Sequence, residues 1–447
     1  MVAKDSIFKA YDIRGIYGEE IDEEGAYLIG RAFAQFLKPK RVAVGHDMRT
    51  SSPALHKALI RGLTDQGADV INIGLSTTPM MYFAVAKFGY DAGINITASH
   101  NPGQYNGMKM VKREAVPLSG ETGIQEIKEL VAKGEFEEPE RKGTEEQKEI
   151  LPHYVENILS SVDTDKIRKF KIVVDTGNGM GGLVVPELFK KLPCELIPMY
   201  LELDGNFPNH VPNPLEEETL TDIKKRVAEE KADLGIALDG DADRIFFIDE
   251  NGKPCRADLL GARIAEIILK KHPGSPILYD LRSSRKVREV VEEAGGKAIQ
   301  CRVGHSFIKA QMREEKASFA LELSAHYYMA DNYYIESPFI LTLLLLKRLS
   351  EEGKTLSELI KPLETYYASG EINSKVQDKD AVMEKLEKEF SDAKRIFKLD
   401  GLSVEYDDWW FNVRPSNTEP LLRLNLEAET KEKMEEMKER VLRIIRS

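Results

Sequence analysis

The chain has 447 residues, 42% of them hydrophobic and 31% charged, and a formal net charge of −12. That length can bury several cores and suggests two to four domains, while the acidic balance, with no basic cluster interleaved with aromatics, excludes a dedicated nucleic-acid binder. Cys194, Cys255 and Cys301 form no C-x-x-C pair, which excludes a zinc or thiol-redox motif and fits a reducing, cytoplasmic setting.

The N-terminal residues lack the apolar core of a signal peptide. The most apolar stretch, 339–346, is too short to cross a bilayer and reads as a buried helix, so no membrane role is expected. Residues 8–15 read as a strand entering a turn, with Arg14 either a solvated loop arginine or an anion ligand. A helix is expected over 23–36 from its apolar spacing.

One pattern then recurs three times. An apolar strand (42–44, 172–174, 277–279) ends in a polar turn. An amphipathic helix follows (53–66, 182–191, 285–293), then another strand (68–73, 194–199, 297–303). Such units, at intervals of roughly a hundred residues, predict mixed or parallel sheets covered on both faces. From 366 onward the pattern changes to a strand at 371–376, a Lys- and Glu-rich helix, two strands flanking 414–420 and a final helix over 431–445. This reads as a smaller α+β domain. Linkers are expected at 135–147, 250–254 and 353–363.

The chemistry concentrates in a few turns. An apolar strand over 92–96 points into Thr97-Ala98-Ser99-His100-Asn101-Pro102. A serine hydroxyl needs a base, a metal or an electropositive cradle to act as a nucleophile, and Ser, Asn and Pro are ordinary turn formers. Taken alone, that turn reads as structure. A second turn, Asp239-Gly240-Asp241-Ala242-Asp243-Arg244, lies between apolar strands 234–238 and 245–248. Three crowded carboxylates repel each other unless a cation neutralises them. Oxygen ligands without His or Cys select Mg²⁺, Mn²⁺ or Ca²⁺. An EF-hand is rejected, because Arg244 stands where its loop needs glycine and the flanks read as strands. A phosphate oxygen is the usual further partner of such a cation, and a phosphorylated Ser99 would supply it.

Two more stretches carry polar clusters. Around Arg414-Pro415-Ser416-Asn417-Thr418, the guanidinium offers a fork to a phosphate and the turn offers further donors. In Glu322-Leu323-Ser324-Ala325-His326, an extended backbone would put Glu322, Ser324 and His326 on one face, where a carboxylate accepts from paired sugar hydroxyls. His305, after Gly304, is either a capped loop histidine or a phosphate or hydroxyl partner. Each of these also reads as a hydrogen-bonded turn or a polar strand face.

Together with Tyr11-Asp12-Ile13-Arg14-Gly15, these stretches, in this order along essentially the whole chain, resemble the α-D-phosphohexomutase superfamily, and within it the phosphomannomutase/phosphoglucomutase branch. The resemblance implies three related mixed-sheet α/β domains and a smaller α+β C-terminal domain around a central cleft. The boundaries fall at 1–148, 149–252, 253–364 and 365–447. It implies interconversion of hexose 1-phosphate and hexose 6-phosphate, of mannose, glucose or both, through a hexose 1,6-bisphosphate. Ser99 would be the phosphoserine, with Asp239, Asp241 and Asp243 holding one Mg²⁺ together with a phosphoserine oxygen. Tyr11, Arg14, Arg244, Arg282, Gly304, His305, Glu322, Ser324 and His326 would bind substrate. Arg414, Ser416, Asn417 and Thr418 would hold the non-reacting phosphate. Lys109 and Arg244 would assist near the serine, and Arg14, His100 and Lys109 are alternatives for the proton of the reacting hydroxyl.

Two departures stand out: Ala325 replaces a frequent glycine, and Arg282 replaces a frequent lysine. Asn417, where the glucosamine branch usually has glycine, favours mannose and glucose. A monomer or homodimer acting on phosphosugars is expected. The rivals are a phosphoglucosamine mutase, a sugar-phosphate phosphatase and a non-catalytic sugar-phosphate sensor.

Overall fold

The computed structural model describes residues 4–416 and 421–447. The chain separates into two compact units. The first comprises residues up to 255 with 304–319 and 324–359; the second comprises 256–303, 320–323 and 360–447.

In the first unit, one sheet runs in the order Ile13–Ile16, Tyr105–Lys112, Ala92–Ile96, Arg41–His46, Asp69–Leu75, Glu145–Gln147. Arg41–His46 is parallel to both Asp69–Leu75 and Ala92–Ile96, and Tyr105–Lys112 returns antiparallel to Ala92–Ile96. Every residue of Ala92–Ile96 is buried, as befits a strand with both faces covered. Helices Glu23–Leu37 and Ser52–Asp65 pack together. A Cβ on Gly62 would collide with the carbonyl of Tyr27, so only glycine permits that approach.

A second sheet has the order Ile245–Ile248, Leu234–Leu238, Lys171–Asp175, Glu195–Met199. Its inner strands are parallel, and Leu234–Leu238 with Ile245–Ile248 is an antiparallel hairpin whose closing turn is the aspartate loop. The apolar stretch 339–346 falls in helix Pro338–Glu352, with most of its side chains buried. Among the described residues, no helix is long and apolar enough to cross a membrane.

In the second unit, Pro276–Asp280 is parallel to Lys297–Cys301, with helix Arg285–Glu293 between them in sequence. Its C-terminal sheet runs Tyr367–Ala368, Leu421–Ala428, Trp409–Pro415, Leu402–Glu405, Arg395–Phe397, with Ile372–Lys375 also on Leu421–Ala428. Helices Lys379–Glu389 and Lys431–Ile445 complete this α+β part.

Four local expectations are corrected. The first strand starts only at Ile13, because Lys9 N–H donates to the Asp12 carbonyl and turns the chain beforehand. The polar stretch 135–147 ends in a true edge strand, Glu145–Gln147, parallel to Asp69–Leu75. Residues 353–363 contain a helix, Leu356–Ile360, opened by a capping box. Glu358 accepts from Thr355 N–H (3.0 Å), and the Thr355 hydroxyl accepts from Glu358 N–H (3.3 Å). Finally, 322–326 is not extended: it is a turn between Phe319–Leu321 and Tyr327–Met329, with Ala325 at φ 66°. That left-handed backbone favours glycine, so alanine there carries a small strain.

One buried group of the first unit makes a pH prediction. Burial, and then the neighbouring His46 ring, pull the His56 imidazolium down to about 4. This lies below the unfolded value of about 6.5, so the stability of the neutral ring is present above that pH and is lost as pH falls toward 4. Between pH 7 and pH 5 the wild type should lose roughly 2 kcal/mol more in urea unfolding than His56→Gln. Equal losses would contradict this.

Candidate active site

Ser99 sits where the strand Ala92–Ile96 gives way to the return strand Tyr105–Lys112. Its backbone has φ 50°, its N–H donates to the Thr97 hydroxyl (2.9 Å), and the residue is buried. A non-glycine residue in this region costs of order 1–3 kcal/mol and persists only where surroundings hold it. The same hairpin pairs Asn95 with Lys109, which brings the lysine back beside the turn.

The Ser99 hydroxyl donates to Asp239 Oδ2 at 2.9 Å and lies 3.2 Å from His100 Nδ1. Gly240 packs on the Ser99 carbonyl so closely that a Cβ would collide with it. The serine turn and the aspartate turn, 140 residues apart, are therefore in direct contact.

Asp239, Asp241 and Asp243 are all buried, and each offers an oxygen within 4.8 Å of the others. Burial, then Asp243 and Asp241, push the Asp239 carboxyl up to about 8. For Asp243 burial acts the same way, but it is outweighed by Lys109, His326 and Arg244, and the carboxyl is held well below the usual range. Lys109 Nζ bonds Asp241 Oδ2 (2.7 Å) and Asp243 Oδ2 (2.5 Å). Burial would lower its pKa, yet the three aspartates raise it, so it stays an ammonium. The Thr78 hydroxyl also donates to Asp241 Oδ2 (2.6 Å). Asp241 Oδ1 is buried and takes no hydrogen bond from any described residue. A free oxygen in an all-carboxylate group suits a hard divalent cation, so the donors fit a metal.

More cations and rings line the same unit. Arg244 Nε lies 3.2 Å from His326 Nε2 and 3.9 Å from Asp239 Oδ2. Its Nη1 is buried with no described acceptor. His326 stands 3.3 Å from Asp243 Oδ1 and 3.2 Å from the Ser324 hydroxyl. Arg14 donates to Asp12 (2.5 Å) and to Asn101 (2.7 Å) and stays charged: burial is outweighed by Asp12, Asp241 and Asp243. His100 is held neutral by burial and by Arg244, Arg14 and Lys109. Tyr11 packs edge-on against His305 at 5.9 Å, and Gly304, at φ 126°, leaves room for the tyrosine ring.

In the second unit, Arg282 pairs with Asp280 (2.8 Å) and lies 3.9 Å from the buried carboxylate of Glu322. Glu371 faces three guanidiniums, Arg423 at 3.4 Å and Arg414 and Arg282 at 3.7 Å each. Arg414 is also 3.5 Å from Asp400, and the Ser416 carbonyl accepts from Lys379 (2.6 Å). Asn417 and Thr418 lie outside the described residues.

Arg49 and Thr78 also belong to this site, although neither lies in one of the motifs above. Arg49 offered a usable signal. Asp47-Met48-Arg49, Asp12-Ile13-Arg14 and Asp280-Leu281-Arg282 are all Asp-x-Arg, and in each the two side chains pair. Thr78 had none, because its partner lies 163 residues away.

Four family models match consecutive segments of the chain. They are described as phosphoglucomutase/phosphomannomutase alpha/beta/alpha domains I, II and III, over 5–138, 152–252 and 256–366, and the C-terminal domain, over 371–444. The chain is similar to a phosphomannomutase of Vibrio cholerae, 44% identical with 94% of each chain covered. It is also similar to one of Methanocaldococcus jannaschii, 43% identical, covering 98% and 97%. Among solved structures, a phosphoglucomutase/phosphomannomutase family protein from Burkholderia thailandensis superposes with a TM-score of 0.92. It is 35% identical, with 99% of this chain and 97% of that one covered.

Proposed function

The chain belongs to the phosphoglucomutase/phosphomannomutase family and is a hexose-phosphate mutase, and we propose that Ser99 is the group that carries its phosphoryl between the two ends of the sugar. The observation that carries this reading is the Ser99 hydroxyl resting on Asp239, in a buried three-aspartate turn.

In the first transfer, the bond between phosphorus and Ser99 Oγ breaks as a new bond forms to the free hydroxyl of a hexose 1- or 6-phosphate. The hydroxyl proton ends on Oγ, and the product is a hexose 1,6-bisphosphate. The bisphosphate turns end for end, and its other phosphoryl group returns to Ser99. Mg²⁺ held by Asp239, Asp241, Asp243 and a phosphoserine oxygen would neutralise the phosphoryl charge, the main requirement of such a transfer. Arg244, with an unspent buried N–H, and Lys109 are cations for the phosphoryl oxygens.

Of the proton-handling candidates, Lys109 and Arg14 are held as cations, against burial, by the neighbouring aspartates, which disfavours them as acceptors. The neutral imidazole of His100, at 3.2 Å, can relay the proton to Oγ. We assign Tyr11, Arg282, Gly304, His305 and His326 to substrate contacts, and Glu322 and Ser324 to the sugar hydroxyls. Arg414 and Ser416, with Asn417 and Thr418, are assigned to the non-reacting phosphate. The four matched segments support a division near 148, 252 and 364. Cys194, Cys255 and Cys301 form no disulfide with one another, in keeping with a cytoplasmic enzyme.

Turnover of mannose 1-phosphate, glucose 1-phosphate and glucosamine 1-phosphate, with free phosphate measured alongside, tests the substrate reading. Mannose and glucose 1-phosphates should react at rates within about tenfold of each other and glucosamine 1-phosphate at least about tenfold more slowly. A preference for the amino sugar would make the protein a phosphoglucosamine mutase. Phosphate release equal to substrate loss would make it a phosphatase.

A further inference from the structure

Arg49 is fully buried, and all five of its N–H donors are used. Nε donates to Asp47 Oδ2 (3.1 Å). Nη1 donates to the carbonyls of Pro102 (2.7 Å) and Tyr105 (3.0 Å), and Nη2 to those of Ser99 (2.8 Å) and Asn101 (2.6 Å). Four of its five acceptors are thus backbone oxygens, three in the turn that presents Ser99 and one at the start of the strand that follows it. The guanidinium is itself fixed. Asp47 accepts from the Ser52 hydroxyl (2.5 Å) and the Arg49 N–H (3.0 Å), and Phe207 lays its ring 5.1 Å from the guanidinium carbon. Gly205, just before that ring, packs against the Arg49 backbone so closely that a Cβ would collide with it.

Resting on the assignment of Ser99 above, we propose that Arg49 is a positioning residue, a clip that holds the strained serine turn in register with the aspartate turn so that the phosphoryl group passes to sugar rather than to water. The reason lies in what each reaction demands. Transfer to sugar needs Oγ, phosphorus and a bound hydroxyl in line, and a misplacement near 1 Å costs about 100-fold. Hydrolysis forms the new bond from phosphorus to a water oxygen, breaks the bond to Oγ, passes a water proton to Oγ and releases phosphate. Water is not tethered to one position, so it tolerates a displaced serine. Loosening the turn therefore slows transfer more than leakage. Lysine keeps the charge, but its tetrahedral ammonium cannot reproduce five planar donors.

The test uses the full chain with glucose 1-phosphate as substrate and glucose 1,6-bisphosphate as activator, thermal unfolding serving as the check on folding. For Arg49→Lys, kcat should fall about 100-fold with KM within about threefold, while phosphate released per turnover rises at least about tenfold. Unchanged transfer, or slower transfer with unchanged release per turnover, would overturn the proposal and leave Arg49 a purely structural clip. If Arg49→Lys does not fold, Phe207→Leu decides, because it frees the guanidinium without removing it. Its release per turnover should rise about threefold, and no rise would overturn the proposal. Intact mass of the wild type after bisphosphate treatment separates the two readings. A wild type that takes up no phosphoryl group sinks the Ser99 assignment and this proposal with it. A wild type that is loaded, beside an Arg49→Lys that transfers and leaks in the wild-type ratio, sinks this proposal alone.

Discussion

Ser99→Ala should lose at least about 10⁴-fold in kcat, even with saturating bisphosphate activator and Mg²⁺. The change removes Oγ, which rests on Asp239 and lies beside His100. Alanine makes no larger steric demand than serine at φ 50°, so the turn keeps its shape. The Arg49 clip binds the carbonyl of residue 99, which alanine retains. The variant should therefore melt close to the wild type and still bind hexose phosphate, which separates a missing acceptor from a collapsed site. A coupled mutase assay measures the loss; near-normal flux would remove Ser99 from its role.

Asp241→Asn should be nearly as severe, with kcat down about 10³-fold and the Mg²⁺ concentration for half-activity up at least about tenfold. Oδ2 of Asp241 accepts from both Lys109 and Thr78, and Oδ1 is free of described donors. An amide has one oxygen for all three duties. If its oxygen takes Oδ2's place, an NH₂ group faces the cation; if its nitrogen does, two donors face a third. Either way the lysine loses one of its two directly bonded carboxylates in a buried setting. Activity and metal dependence should fall together in a Mg²⁺ titration. A variant that keeps a wild-type Mg²⁺ response would refute the metal assignment.

What the chain shows before folding and what it hides follow from the range of each interaction. The strands Ala92–Ile96 and Leu234–Leu238 were readable to the residue because each is a fully buried apolar run stopped by a polar turn. Helix Arg285–Glu293 was equally clear, since the Ser284 side chain caps it locally. The helix at Leu356–Ile360 was missed although Thr355 and Glu358 spell a capping box, because its short apolar content resembles a linker. Glu322, Ser324 and His326 alternate like a strand, yet Ala325 adopts a positive φ that no pattern of residue types announces.

The same division runs through the site. Ser99 and the three aspartates could be named from type and spacing, whereas their meeting is a contact between distant segments. Arg49 shares the Asp-x-Arg pattern of Arg14 and Arg282, which hints at its pairing with Asp47, but the four carbonyls that converge on it are set by the fold. Thr78 is hidden for the same reason, being defined wholly by its partner Asp241.

The most direct test of the whole account is to treat the purified protein with glucose 1,6-bisphosphate, map the phosphorylated residue by peptide mass, and then add excess glucose 1-phosphate and map it again. One phosphoryl group should appear on Ser99 and vanish in the second step as bisphosphate forms in equal amount. A protein that turns over substrate with Ser99 unmodified throughout, or with the phosphoryl group on another side chain, would contradict it.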